Sequence, residues 1–286
     1  MGAPGRVAVV HIAYAPFGVE PFGRFVESYR RHDAGAPHEL VVAFKGFDGE
    51  AATAGHRALL AGVAHRAVSV PDGGFDLGTY RIVAAALDHE LCCFLNSNSE
   101  LRADGWLAKL RAALDGPGVL AAGATGSFQS LSSDVLRGVG MGPGFRSLRL
   151  LKRRLVHLAL MRFHPGFPNP HLRTNGFLIR RADFLSLRMR PMRTKRDAMR
   201  FESGWRGMTR QLLARGGGVR LVDAGGLGLD VARWPDGAAF WRGGQEALLV
   251  ADNQTGRYDA ADAAEREVLT RYAWVPPRPP GDASSA

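Results

Sequence analysis

Five polar residues in a row, Asn96-Ser97-Asn98-Ser99-Glu100, follow directly on the apolar run Leu91–Leu95. Hard side-chain oxygens at the end of a rigid strand are what a divalent cation requires. Amide oxygens bring no charge, so Asn96 and Asn98 would bind Mg²⁺ or Mn²⁺ more weakly than carboxylates, and Glu100 adds one carboxylate. The plainer alternative is a polar loop at a strand end. A second candidate is Glu202. Between Arg137 and Arg220 there are 20 Lys and Arg against three acids, Asp183, Asp197 and Glu202. A carboxylate so isolated among cations is a candidate for a functional role; the alternative is a helix-start Glu favoured by the macrodipole. Arg210 lies eight residues on, close to the same face of a continuous helix. A third pair is Asp76 and Gly78, either a ligand-facing acid with a close backbone approach or a helix cap with a packing glycine.

The elements that must position these groups alternate. Arg6–Ala15, Glu39–Phe44, Ala67–Val70, Leu91–Leu95, Val119–Ala124, Leu172–Ile179 and Val219–Val222 read as short strands. Val19–His32, His56–Gly62, Leu77–Leu87 capped by Asp76, a segment through Leu114 with Asp104 as its candidate cap, Ser147–Phe163, Ala182–Leu187 and Phe201–Ala214 read as helices. Phe128–Gly144 reads as a loop around a short helix. Such alternation predicts a three-layer α/β/α domain with a mostly parallel central sheet, whose ligands sit beyond the carboxyl ends of the strands. We expect one domain over residues 1–275, with a ligand-binding half (1–125) and a second half (126–275), then a disordered Pro-rich tail, 276–286. The apolar N-terminal run, interrupted by His11, reads as a first buried strand rather than a leader.

Composition bounds the partners. The 137–220 segment carries a net +17, leaving −7 on the rest of a chain whose total is +10. That asymmetry fits an anionic partner (phosphates, anionic lipid or nucleic acid) or a solvated basic surface. Cys92 and Cys93 are adjacent in an apolar run and read as small buried hydrophobes in a reduced compartment, and no CxxC pair suggests zinc. No apolar run reaches about 18 residues, so no span is expected.

Four segments together resemble family-2-like glycosyltransferases of the GT-A fold, over about residues 6–225. Leu91–Leu107 resembles the strand "fLN-x-D-x-E" followed by "dgWl", with Asn96 and Asn98 at the two Asp-x-Asp positions. Gly73–Arg81 resembles "N-x-G-x-x-x-a-r-N". Phe201–Gly216 resembles "E-D-x-d-l-x-x-R-l-x-x-x-G", with Glu202, Arg210 and Gly216 in place and Ser203 where an Asp would stand. Pro170–Arg181 resembles "x-x-G-x-f-x-i-r-r-x-x-f". The expected acid after strand two is missing; Lys45-Gly46-Phe47 stands there.

The resemblance implies transfer of a sugar from a nucleotide-diphosphate sugar to a hydroxyl of a glycan or lipid-linked saccharide. It implies Glu202 as base with Arg210 as the second catalytic residue. Donor contacts would come from Ala13, Tyr14, Lys45, Asp76, Gly78, Asn96, Asn98, Asn175 and Gly176, with Thr174 also facing the sugar. Asn98 and Glu100 would hold any Mg²⁺ or Mn²⁺; the degenerate motif leaves a weak metal site, metal-independent transfer or a non-catalytic relative all open. Trp241, Gln245, Asp252, Asn253, Gln254 and Tyr258 either bind sugar or form a cover packed on the sheet. Ser147–Phe163 is a basic amphipathic helix, read slightly in favour of packing its Leu150/Leu151/Leu155/Leu158/Met161 stripe on the core over lying on an anionic membrane. The expected place is the cytoplasm, in solution or at the inner membrane face. The rivals are a non-catalytic nucleotide- or glycan-binding relative and, with less support, a basic nucleic-acid-binding protein.

Overall fold

The computed structural model describes residues 6–136, 146–237 and 240–277; the tail from 278 and the part of the expected 128–144 loop beyond 136 lie outside them. The first half alternates β1 (Val7–Tyr14), α1 (Val19–Arg31), β2 (Glu39–Lys45), α2 (Ala54–Leu59), β3 (Arg66–Val70), α3 (Phe75–Ala86), β4 (Leu91–Leu95), β5 (Glu100–Leu101), α4 (Trp106–Leu114) and β6 (Val119–Gly123). The second runs β7 (Gly126–Ser127), α5 (Leu131–Leu136), α6 (Arg146–Met161), β8 (His171–Leu172), β9 (Phe177–Arg180), α7 (Arg181–Ser186), α8 (Lys195–Ser203), α9 (Met208–Leu213), β10 (Gly218–Val222), β11 (Gly228–Asp230), β12 (Val250–Ala251), α10 (Asn253–Ala260) and α11 (Ala263–Trp274).

One eight-stranded sheet has the order β11-β10-β6-β9-β4-β1-β2-β3. Six strands run one way; β9 and β11 run against them. β1 shows why the strands form: Val7 and Val9 enter the hydrophobic layer under α1 and α4, while Ala8, Val10 and Ile12 enter the layer under α3 and α7. A strand buried on both faces reads as a continuous apolar run, the pattern of a parallel sheet covered on both sides. Trp106 and Tyr80, both fully buried, anchor the two layers, each side chain worth roughly 1.5–3 kcal/mol by area removed from water. The expected three-layer α/β/α arrangement around a mixed, mostly parallel sheet is thus present.

Several local expectations are corrected. Asp76 does not cap α3: the N-cap is Gly74, in the left-handed region at φ 69° with no side-chain cap, and Asp76 sits in the first turn. Asp104 does not cap α4 either; Gly105 does, at φ 67°, while the Asp104 carboxylate accepts from the Asp33 N–H. Leu172–Ile179 is not one strand but β8 and β9 with a turn between.

The expected helix Phe201–Ala214 is two helices, and the position of the break has room only for glycine. A Cβ on Gly204 would lie 2.4 Å from the Arg200 carbonyl and 2.8 Å from that of Phe163. The chain leaves helical geometry there (ψ 179°) and resumes after Gly207. Glu202 therefore occupies the last turn of α8, whose start is set by a Thr194–Asp197 capping box. It is not a helix-start acid, and it shares no helix with Arg210.

Candidate functional site

In the sheet order β1 lies between β4 and β2, so the chain winds away from it in both directions. The crevice beyond the carboxyl ends of β1 and β4 is where open α/β sheets take ligands. Tyr14 and Lys45 end β1 and β2 side by side in register, with the Lys45 ammonium 5.0 Å from the centre of the Tyr14 ring. Gly46 turns the chain at once, at φ 71°, with Asp72 against it. β9, running the other way, begins level with the ends of β4 and β6. The turn Arg173–Gly176 is thereby delivered to the same edge.

Charged groups gather here from elements distant in sequence. Glu202 is held among Arg173, Asp76 and Asp252, and it accepts a hydrogen bond from the Thr174 backbone. Burial pushes its carboxyl pKa up; Arg173 opposes, and Asp76 and Asp252 reinforce the rise. Its residue as a whole is only partly closed off from solvent, while the carboxyl is desolvated. Asp76 is raised by the same cause, against the pull of Lys45. Lys45, buried, is lowered by desolvation while Asp76 and Asp72 hold it up. The Tyr80 hydroxyl donates to the Thr174 carbonyl at 3.0 Å; burial first, then Asp76, holds its pKa well above the usual range, so it keeps its proton.

Two donors at this edge have no hydrogen-bond partner among the described residues: Arg173 Nε and Asn175 Nδ2. The Arg173 guanidinium is steadied over the Phe240 ring at 4.6 Å. The Asn175 side-chain oxygen accepts from Thr125, and its backbone carbonyl from Ser99. Each orphan donor represents a cost that a ligand oxygen would remove.

Of the residues named from sequence, Tyr14, Lys45, Asp76, Asn175 and Glu202 come together here, with Asn96 and Asn98 at the adjoining end of β4. Others lie differently. Ala13 is paired in the β1–β2 ladder with its side chain in the core. Gly176 is a packing position: a Cβ there would meet Val250 at 3.1 Å. A Cβ on Gly78 would meet nothing within 4 Å, so no packing explains that glycine. Arg210 stacks its guanidinium 4.9 Å over the Trp205 ring on the far side of the Gly204–Gly207 turn, with its buried Nε unpartnered among the described residues.

Of the groups named for a metal, Asn96 and Glu100 are committed to partners within the protein. Asn96 Oδ1 accepts from the Asn98 backbone N–H at 2.9 Å and from Ser99 Oγ at 3.0 Å, shaping its own loop. Glu100 is tied to Arg24 Nε at 2.8 Å, which draws it toward α1. Among the described residues no group of three or more His, Cys, Asp or Glu could hold a metal ion. Most of the polar-aromatic stretch after Trp234 is internal cover: Trp241 donates to the Gln254 carbonyl, Gln245 to the Thr255 carbonyl and Asp259. Asp252 caps α10 through Oδ1 and also faces Glu202.

Sequence reasoning missed Arg173 and Tyr80. Arg173 was one of 20 basic residues in its segment, and only the β8–β9 turn distinguishes it. A separate cavity of about 960 Å³, among Arg6, Tyr29, His38, Glu39 and His89, opens at the amino ends of the strands, the wrong end for this chemistry.

No family model and no curated protein matches the chain. Solved structures do. A mannosyltransferase from Pyrobaculum calidifontis, in complex with GDP-mannose and Mn²⁺, is 13% identical over 64% of this chain and 46% of its own, with a TM-score of 0.38. Glucosyl-3-phosphoglycerate synthase from Mycobacterium tuberculosis, in complex with Mn²⁺, uridine diphosphate and glucosyl-3-phosphoglycerate, is 17% identical over 74% of this chain and 64% of its own, with a TM-score of 0.41. The chain thus spans less than two thirds of either structure. Likeness at this level assigns no activity, and the chemistry of the site has to stand on its own geometry.

Proposed function

We propose that this chain is a glycosyltransferase that takes a nucleotide-diphosphate sugar and delivers the sugar to a hydroxyl of a glycan or lipid-linked saccharide. One observation carries the reading: a desolvated carboxyl, Glu202, is held with Asp76, Asp252, Arg173 and Lys45 beyond the carboxyl ends of β1, β2 and β4. Glu202 accepts the proton of the acceptor hydroxyl. The freed oxygen attacks the anomeric carbon, and the bond to the phosphate oxygen breaks with its electron pair on the departing nucleoside diphosphate. A raised pKa makes Glu202 a better base near neutrality than an ordinary carboxylate.

The charge that develops on the diphosphate is met by Lys45 and Arg173, fixed cations in a poorly solvated site. Arg173 Nε and Asn175 Nδ2 are the orphan donors that sugar or phosphate oxygens would satisfy. Asp76 and Gly78 line the donor side, the acid reading hydroxyls and the glycine leaving room for the ligand. Asn96 shapes the loop that places Asn98 at the end of β4. Mg²⁺ or Mn²⁺ enters none of these steps.

A second reading, a non-catalytic nucleotide- or glycan-binding relative, is favoured by the commitment of Asn96 and Glu100 to partners of their own. Thermal unfolding against nucleoside diphosphates and nucleotide sugars, with Mn²⁺ or with EDTA, tests both. A ligand at about 100 times its dissociation constant stabilises the fold by about 2.7 kcal/mol. A base-selective shift in EDTA, with turnover, supports transfer; the same shift without turnover on any acceptor selects the binding protein. No shift with any nucleotide removes both.

A further inference from the structure

The leucines of α6 face the wrong way for a core-packed helix. Leu151, Leu155 and Leu158 recur at i, i+4 and i+7, one stripe of a helix, and they are 56%, 59% and 60% exposed. The side toward the protein is set by His157, whose Nδ1 bonds the Ser132 carbonyl at 2.7 Å, and by half-buried Val156 and Leu160. The sequence preference for packing this stripe on the core is therefore corrected: its described leucines point outward.

The ridge continues beyond the helix. Met161 is 40% exposed, Phe163 43% and Trp205 50%, and Trp205 Nε1 donates to the Met161 carbonyl at 2.7 Å. Cations border it: Lys152 and Arg154 flank the leucines, and Arg162 and Arg206 are exposed at its end. Where the ridge meets α8, a cleft of about 450 Å³ is lined by Arg162, Arg188, Arg190, Arg200 and Arg206 against one acid, Asp197.

We propose that this ridge docks on an anionic lipid surface, with Leu151, Leu155, Leu158 and Trp205 entering the headgroup–acyl boundary and the arginine cleft receiving lipid phosphates. Charge complementarity chooses the occupant. An outward apolar stripe flanked by cations, ending in an exposed Trp, is the pattern of an interfacial helix, and each added basic residue strengthens attachment to an anionic bilayer roughly fivefold. Trp205 stands three residues from Glu202, and its backbone N–H donates to the Phe163 carbonyl. Docking would thus bring the bilayer plane beside the proposed catalytic edge. The inference stands without the transferase reading, since it rests on the α6 ridge and the adjoining arginine cleft.

The test is co-sedimentation of the full chain with phosphatidylcholine vesicles and with mixed phosphatidylglycerol–phosphatidylcholine vesicles, at low and high salt. The expected result is partition to the mixed vesicles only, weakened but not abolished by salt, and lost at least tenfold in a Leu155→Glu/Leu158→Glu variant whose thermal unfolding is unchanged. Replacing Lys152, Arg154 and Arg162 by Gln should reduce partition roughly a hundredfold if each contributes the fivefold given above. Failure of the wild-type protein to partition, or equal partition of the leucine variant, overturns the proposal. A concentration-dependent dimer that the leucine variant disperses, without vesicle binding, overturns it too and assigns the ridge to a second copy. Nucleotide-induced thermal shifts would be unaffected by any of these outcomes.

Discussion

Glu202 ends α8 in its last turn, where the helix macrodipole gives a carboxylate no help, and burial raises its pKa further. Reactivity and stability then pull in opposite directions. With the folded pKa above the unfolded one, the unfolded chain releases its proton first as pH rises, so stability falls through the window between the two values. Below the ordinary glutamate range both states are protonated and the cost vanishes. Glu202→Gln should therefore lower turnover by about 10²–10⁴-fold while raising the melting temperature at neutral pH and leaving it unchanged at acid pH. A variant that keeps full turnover would remove Glu202 as base. Gly78 offers a cleaner separation of ligand from fold. It lies inside α3 with open space where a Cβ would go, so Gly78→Ala should stabilise the helix by roughly 0.5–1 kcal/mol. If the donor approaches there, nucleotide affinity should fall even as urea unfolding shows the gain.

At the scale of elements, the strands were legible and the breaks were not. β1, β2 and β4 announce themselves by apolar runs that only a sheet covered on both faces can bury. Asn96–Glu100 could be placed at a strand end for the same reason. The division of the helix after Glu202 was hidden because local propensity favours helix on both sides. The Phe163 carbonyl, 41 residues away in sequence, stands where a Cβ at position 204 would lie, so the break needs a glycine for a reason no local pattern carries. Gly204→Ala is accordingly expected to cost about 1–3 kcal/mol by overpacking and to displace Glu202, with turnover falling more than nucleotide binding. Thr194→Ala, which removes the cap at the other end of α8, should cost about 1 kcal/mol and leave turnover intact, since Glu202 lies two turns away. The same kind of limit governed α6: periodicity gave the helix and its stripe, but which way the stripe faces depends on neighbours that a single helix does not encode.

For the molecule as a whole, acid sensitivity should be set by buried histidines that take no part in the proposed chemistry. His11 is fully buried on β1, stacked on Phe25 at 3.6 Å, with both ring nitrogens unpartnered among the described residues. Burial drives its pKa down to about 3. His171 is lowered to about 4, by burial against the support of the Asn169 carbonyl; His56 and His164 are lowered in the same direction and for the same first cause. A depressed histidine stays neutral in the fold while the unfolded chain takes up a proton near pH 6.5, so stability falls as pH drops below that value. Each such group contributes a slope of up to about 1.4 kcal/mol per pH unit. Glu202 and Asp76 act in the opposite sense, because their raised pKa values let the folded state bind protons earlier. Four such histidines stand against the two carboxyls. Urea unfolding at pH 7, 6 and 5 should show stability falling steeply with acid. His11→Phe keeps the stack on Phe25 and removes the proton uptake, so it should flatten that slope by about one proton's worth and leave nucleotide binding unchanged. An unaltered slope in that variant would mean that His11 titrates in the folded protein and that β1 is not closed to water at its centre.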